Sequence, residues 1–113
     1  MTGKETMAIE IRARIDGLIA SSKVMLFMKG TKQLPACGFS NTVVQILKKE
    51  GVSFETYNVL ADPELRQALK EYSGWATYPQ LYVTGKFVGG CDIVTEMHRS
   101  GELSQELSAA GVK

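Results

Sequence analysis

The chain has 113 residues, 44% hydrophobic and 22% charged, which is enough apolar material for one core and too short for a second domain. Thirteen Lys and Arg against twelve Asp and Glu leave a formal charge of +1. That balance argues against a nucleic-acid binder and against a polybasic membrane anchor.

Ile11, Ile15, Leu18 and Ile19 recur at helical spacing and predict an amphipathic helix from about Ala8 to Ser21. The apolar run Lys23-Val-Met-Leu-Phe-Met28 follows and suits a fully buried strand. A loop from Gly30 to Ala36 then delivers Cys37. Val43, Val44, Ile46 and Leu47 mark a second helix, which stops at the basic pair Lys48-Lys49 and Gly51.

Val52 to Val59 is expected to form a second strand. Asp62-Pro63-Glu64 begins a helix with a capping side chain, proline at the first position and an acid in the first turn. Gln80 to Val83 and Lys86 to Val88, joined by Thr84-Gly85, predict a hairpin. Asp92 is expected to cap a helix through Ile93, Val94 and Met97, and Leu103 and Leu107 carry a last one. The order α-β-α-β-α-β-β-α-α implies an α/β fold: one mixed four-stranded sheet, its first two strands parallel and its last two antiparallel, flanked by helices on both faces.

Cys37 lies between a buried strand and a helix, where unpaired amides and the positive end of the helix dipole favour thiolate over thiol. Lys29 and Lys32 are expected to add positive potential. The alternative, a small buried hydrophobe, fits poorly, because its neighbours are loop and helix-start residues. A dithiol redox motif would place a second cysteine three positions on. Here that position is Ser40, so the thiolate must work with an external thiol, a distant cysteine or a metal. His98, with no acidic orienter nearby in sequence, suits the surface better than a Cys–His dyad.

Four segments, Met28-Lys29-Gly30-Thr31, Cys37-Gly38-Phe39-Ser40, Trp75-Ala76-Thr77-Tyr78-Pro79 and Gly89-Gly90-Cys91-Asp92, stand in an order and spacing that strongly resemble the monothiol glutaredoxins. The resemblance runs from about Lys23 to Leu107. It implies a thioredoxin fold and one domain over residues 1–113, with its core at about 8–110. It also implies a glutathione site, in which Lys29 and Arg66 approach the glycine carboxylate and Lys70 lies one helical turn from Arg66. Thr77-Tyr78-Pro79 resembles the family's cis-proline turn, where the backbone of Tyr78 pairs with the cysteinyl part of the ligand. The amides of Cys91 and Asp92 suit the γ-glutamyl carboxylate, and the Asp92 side chain its ammonium.

The chain departs from the family at Gly74-Trp75-Ala76-Thr77, where relatives usually have Asn-Trp-Pro-Thr; the missing proline leaves this turn freer. Trp75 is either ordinary core or a lid over the ligand. The Cys91 thiol is expected to pack, with a disulfide to Cys37 as the alternative.

Cluster binding follows from the same resemblance. A [2Fe–2S] cluster wants four ligands, usually thiolates, and this chain offers Cys37 alone as an exposed one. Monothiol glutaredoxins bridge two chains through two such cysteines and two glutathione thiols, as a homodimer. They pass the cluster to acceptor apoproteins, often beside BolA-type partners. The competing function is a glutathione-dependent oxidoreductase that acts on glutathionylated proteins through Cys37. No run approaches the roughly 18 to 20 apolar residues of a membrane span, and Met1 to Ala8 lacks the apolar core of a signal peptide. Two cysteines in unlike contexts point to a reducing compartment, the mitochondrial matrix or the cytoplasm, with a plastid also compatible.

Overall fold

A computed structural model describes residues 3–113, with side chains from residue 8 onward; most of the polar start at Met1 to Ala8 lies outside the described side chains. Helix α1 (Gly3–Ala20) begins earlier than its apolar spacing predicts. It is followed by β1 (Val24–Met28), α2 (Gly38–Glu50), β2 (Glu55–Asn58) and a 3-10 turn (Val59–Ala61). The chain continues through α3 (Pro63–Ser73), β3 (Gln80–Val83), β4 (Lys86–Gly89), α4 (Cys91–Ser100) and α5 (Glu102–Ala109).

The sheet order is β2-β1-β3-β4. β1 runs parallel to β2 and antiparallel to β3, and β3 pairs antiparallel with β4. β1 lies at the centre because all five of its residues are buried, so it can accept helices on both faces. Val24, Leu26 and Met28 pack with Val43, Val44 and Leu47 of α2 and with Val94, Leu103 and Leu107 of α4 and α5. Met25 and Phe27 point the other way, toward Ile11, Ile15 and Ile19 of α1 and Leu65 and Leu69 of α3. The period-two alternation of one strand thus assigns every helix to its face.

The hairpin turns at Thr84 (φ 48°) and Gly85 (φ 82°), two left-handed residues in a row as a tight β-hairpin requires. Helix α2 ends on Gly51 in the left-handed conformation (φ 76°). Asp62 caps α3 by accepting from the Leu65 N–H at 3.2 Å.

Two expectations need correction. The second strand is shorter than Val52 to Val59: Val52 and Phe54 are buried before pairing starts. Val59 already belongs to a 3-10 turn, because the Asn58 side chain accepts from the Leu60 N–H and ends the strand. Asp92 is not the cap of α4. Gly90 takes that position in an extended conformation and Asp92 falls in the first turn, so its carboxylate meets the helix dipole rather than a capped amide.

Candidate functional site

Cys37 is delivered by a tight loop closed at Gly30. Gly30 (φ 90°) faces the chain at Leu34 to Ala36 so closely that a Cβ there would lie 2.4 Å from the Ala36 nitrogen and 2.7 Å from the Leu34 oxygen. Only glycine allows that approach. The Ala36 N–H donates to the Lys29 carbonyl at 3.0 Å, and the Gly30 N–H donates to Asn58 Oδ1 at 3.0 Å. Cys37 follows as the half-buried N-cap residue of α2, with an extended backbone (φ −149°, ψ 136°).

The Cys37 thiol is held below its ordinary range chiefly by the Ser40 amide at the helix start. Burial opposes this; the Phe39 amide, the charge of Lys29 and the Ser40 hydroxyl reinforce it. Ser40 is fully buried, and its Oγ accepts from the Lys29 N–H at 3.1 Å. Lys32 does not contribute as its sequence position suggests. Its ammonium donates to the Phe54 carbonyl and lies 4.2 Å from the centre of the Phe54 ring.

The strand register brings three further segments to the same end of the sheet. Phe27 pairs with Gln80, which sets residues just before Gln80 beside the chain leaving β1. Met28 pairs with Asn58, which brings up the approach to α3. Leu81 pairs with Gly89, which brings up the start of α4. The peptide bond Tyr78-Pro79 is cis. Before it, Gln80 holds the turn from beneath: its Nε2 donates to the carbonyls of Trp75 (3.0 Å) and Thr77 (3.3 Å), while its Oε1 accepts from the Tyr82 hydroxyl at 3.2 Å. Thr77 is exposed above this support, whereas Tyr78 and Pro79 are buried.

Arg66 is half-buried on α3, and its Nε is buried with no hydrogen-bond partner. That nitrogen is a donor for which the chain itself supplies no acceptor. Lys70 follows one turn later, also half-buried. The start of α3 is clamped by Asp62, whose Oδ2 accepts from the Tyr57 hydroxyl at 2.7 Å and from Arg14 at 2.6 Å. The Tyr57 bond, with help from Arg14, holds the Asp62 carboxyl below its ordinary range despite burial.

At the fourth segment, a Cβ on Gly90 would lie 2.9 Å from Trp75 Nε1 and 3.3 Å from the Pro79 oxygen. The indole also packs against Phe87, with ring centres 5.7 Å apart and planes tilted by 52°. Trp75 is half-buried between Phe87 and the turn, and its Nε1 is buried with no hydrogen-bond partner. Cys91 is half-buried, its Sγ 4.0 Å from Thr95 Oγ1, and Asp92 is exposed at the site's rim. Both thiols are free.

His98 finds the acid that its sequence neighbourhood lacks. Its Nδ1 lies 2.9 Å from Oε2 of buried Glu50, which also accepts from Lys113 at 2.6 Å. The imidazole therefore ties α4 to α2 and takes no part in a cysteine dyad. Gln80, Asn58 and Glu50 escaped the sequence reading, since an isolated polar residue gives no hint that it will be buried and satisfied. Among the described residues no group of three or more His, Cys, Asp or Glu could hold a metal ion.

Fold and site define a class: a thioredoxin-fold protein with one helix-opening cysteine and a serine where a second thiol would close a local disulfide. The glutaredoxin family model matches residues 24–88. A ycf64-like monothiol glutaredoxin of Synechocystis is 59% identical over 101 residues, 89% of this chain and 94% of its own length. Chloroplastic monothiol glutaredoxin-S7 of Oryza sativa is 58% identical over 92% of this chain, which spans 62% of the rice protein. Mitochondrial monothiol glutaredoxin-5 of Saccharomyces cerevisiae is 51% identical over 92% of this chain and 71% of its own. The solution structure of reduced poplar apo GrxS14 superposes with a TM-score of 0.80 at 52% identity, covering 91% of this chain and 94% of that one. The chain belongs to the glutaredoxin family, on its monothiol side.

Proposed function

We propose that this chain binds a glutathione-ligated [2Fe–2S] cluster between two copies of itself and hands it to acceptor apoproteins. The observation that carries the reading is the setting of Cys37, a thiolate-favouring cysteine at the start of α2 whose third neighbour is Ser40. Without a resolving thiol nearby, the natural partner of that sulfur is an external thiol or a metal centre.

Glutathione fits the surrounding charges. Lys29, Arg66 and Lys70 suit its glycine carboxylate, and the orphaned Arg66 Nε gives this its strongest support. Thr77, Tyr78 and Pro79 offer an extended edge for its peptide. The first-turn amides at Cys91 and Asp92 suit the γ-glutamyl carboxylate, with the Asp92 side chain for the ammonium. A cluster needs four ligands. One Cys37 and one glutathione per chain make two, so a dimer completes the set. BolA-type proteins and apoproteins are the partners we infer, in a reducing compartment such as the mitochondrial matrix, a plastid or the cytoplasm. Two of the relatives named above are chloroplastic and mitochondrial. No helix among the described residues is long and apolar enough to cross a membrane. We take the whole chain, residues 1–113, as one functional domain.

Anaerobic reconstitution with iron, sulfide and glutathione tests the proposal. The expected result is a visible cluster spectrum, one iron per chain, and a dimer by light scattering in line with gel filtration. Cys37→Ser should abolish the spectrum and Cys91→Ser should leave it largely intact. A colourless wild-type chain that reduces glutathionylated substrates would instead assign the site to thiol–disulfide exchange.

A further inference from the structure

We propose that the Tyr78 hydroxyl is a positioning group that locks the ligand turn to Arg66, so that thiol recognition and carboxylate recognition are set as one unit. Tyr78 is 5% exposed, and its hydroxyl donates to the Arg66 backbone carbonyl at 2.6 Å. Among the described residues this is the side-chain hydrogen bond that joins α3 to the turn at residues 77–79. It ends on the residue whose guanidinium Nε is buried without a partner.

A second tie lies at the far end of α3, where Ser73 Oγ accepts from the Trp75 N–H at 3.1 Å and donates to the Trp75 carbonyl at 3.4 Å, but it reaches residue 75 and not the turn at residues 77–79. Asp62 fixes the first turn of α3, one helical turn before Arg66, Leu65 and Leu69 hold its inner face by packing, and the Tyr72 hydroxyl donates to Asp16 of α1 at 2.5 Å. Gln80 fixes the turn from below, through the Trp75 and Thr77 carbonyls, and does not reach α3. A small rotation of α3 would carry the guanidinium away from a carboxylate placed by the turn, and a charge-assisted bond loses strength quickly with such misalignment. Burial raises the Tyr78 hydroxyl far above the ordinary phenol range, so it stays a donor across the working pH range.

The plain alternative is that a buried phenol merely satisfies its own hydroxyl. The two accounts differ in one measurable way. A purely structural bond affects stability, whereas a positioning bond affects how well the chain distinguishes ligands that do and do not carry the glycine carboxylate.

The inference rests on the proposed glutathione site and is tested by exchange with glutathione disulfide. The Cys37 thiolate attacks one sulfur, a new S–S bond forms as the old one breaks, and one glutathione leaves as thiolate with the electron pair. Cys37 is oxidised and the departing glutathione reduced. Equilibrium constants for this exchange are compared with those for the disulfide of the glycine ethyl ester, by intact mass and peptide mapping at Cys37. Wild type should favour the free acid by roughly tenfold. Tyr78→Phe and Tyr78→Leu should each cut that preference, the ratio of acid to ester, by roughly 3- to 10-fold. Adding Tyr78→Phe to Arg66→Ala should then cost no further preference. Preference retained in both Tyr78 variants, or additive losses in the double variant, overturns the inference and leaves the glutathione site standing. A wild-type chain that exchanges with neither disulfide, or does not distinguish them, overturns the site assignment and this inference together.

Discussion

The Lys29 N–H donates to Ser40 Oγ at 3.1 Å, and this bond ties the end of β1 to the first turn of α2. The serine that stands where a dithiol protein would carry its second cysteine is therefore a structural tie. It holds the backbone of Lys29, whose charge helps lower the Cys37 thiol, against the start of α2.

Alkylation of Cys37 against pH, in a Cys91→Ser background, should show a midpoint below the ordinary thiol value of 9.0. Ser40→Ala should move the midpoint up, since it removes the hydroxyl and loosens Lys29. The sign for stability follows from linkage. A thiol with a lowered folded pKa adds stability above its unfolded value, and that stability is lost as pH falls through the folded value. The stability difference between wild type and Cys37→Ser in denaturant melts should thus grow as pH rises toward 9.0.

Lys29→Ala and Arg66→Ala should each weaken glutathione binding by roughly 1 to 3 kcal/mol if the contacts are charge-assisted. Titrations at low and moderate salt check this, with the larger loss at low salt. No change for either variant at either ionic strength would return both side chains to the solvated surface.

Glu50→Ala should destabilise the fold by about 1 to 3 kcal/mol, because the buried carboxylate joins α2 to His98 and Lys113. Burial alone would raise its pKa, but the hydrogen bonds from Lys113 and His98 outweigh it and the carboxyl sits below 4.5. Its contribution is therefore present above pH 4.5 and fades as pH falls through the folded value. Melts of wild type and Glu50→Gln across that range should converge at the acid end.

Ala76→Pro should stabilise the chain by about 0.4 to 1 kcal/mol by limiting the unfolded state. Ala76 is exposed and lies between two anchored residues, since the Trp75 and Thr77 carbonyls both bind Gln80. A denaturant melt with a clear loss would mean that the Gln80 anchoring requires a backbone shape proline cannot take.

Much of the fold was legible because it rests on short-range rules. The unbroken apolar run from Val24 to Met28 announces a strand buried on both faces, and Asp62-Pro63-Glu64 and Gly51 announce helix ends through local backbone chemistry. Cys37 was visible for the same reason: a cysteine before a helical pattern is near that helix's amides wherever the helix goes. The misplaced cap at Asp92 shows the limit. Gly90 takes the cap position where Trp75 comes so close that a Cβ would meet its indole at 2.9 Å, a contact across fifteen residues of chain.

By itself, then, the sequence determined the order of elements, the helix that activates Cys37, and the lack of a second thiol at Ser40. The tertiary structure decided how the cations near Cys37 are engaged. Lys32 is drawn off to Phe54, while Arg66 keeps an unpaired Nε. It also decided what holds the cis-proline turn, through Gln80 beneath and the Tyr78 hydroxyl at the side, and it gave His98 its acid in Glu50. The division has a physical cause. Helix starts, strands and turns depend on residues a few positions apart, whereas the partner of a buried polar atom is chosen by packing that brings distant residues within about 3 Å.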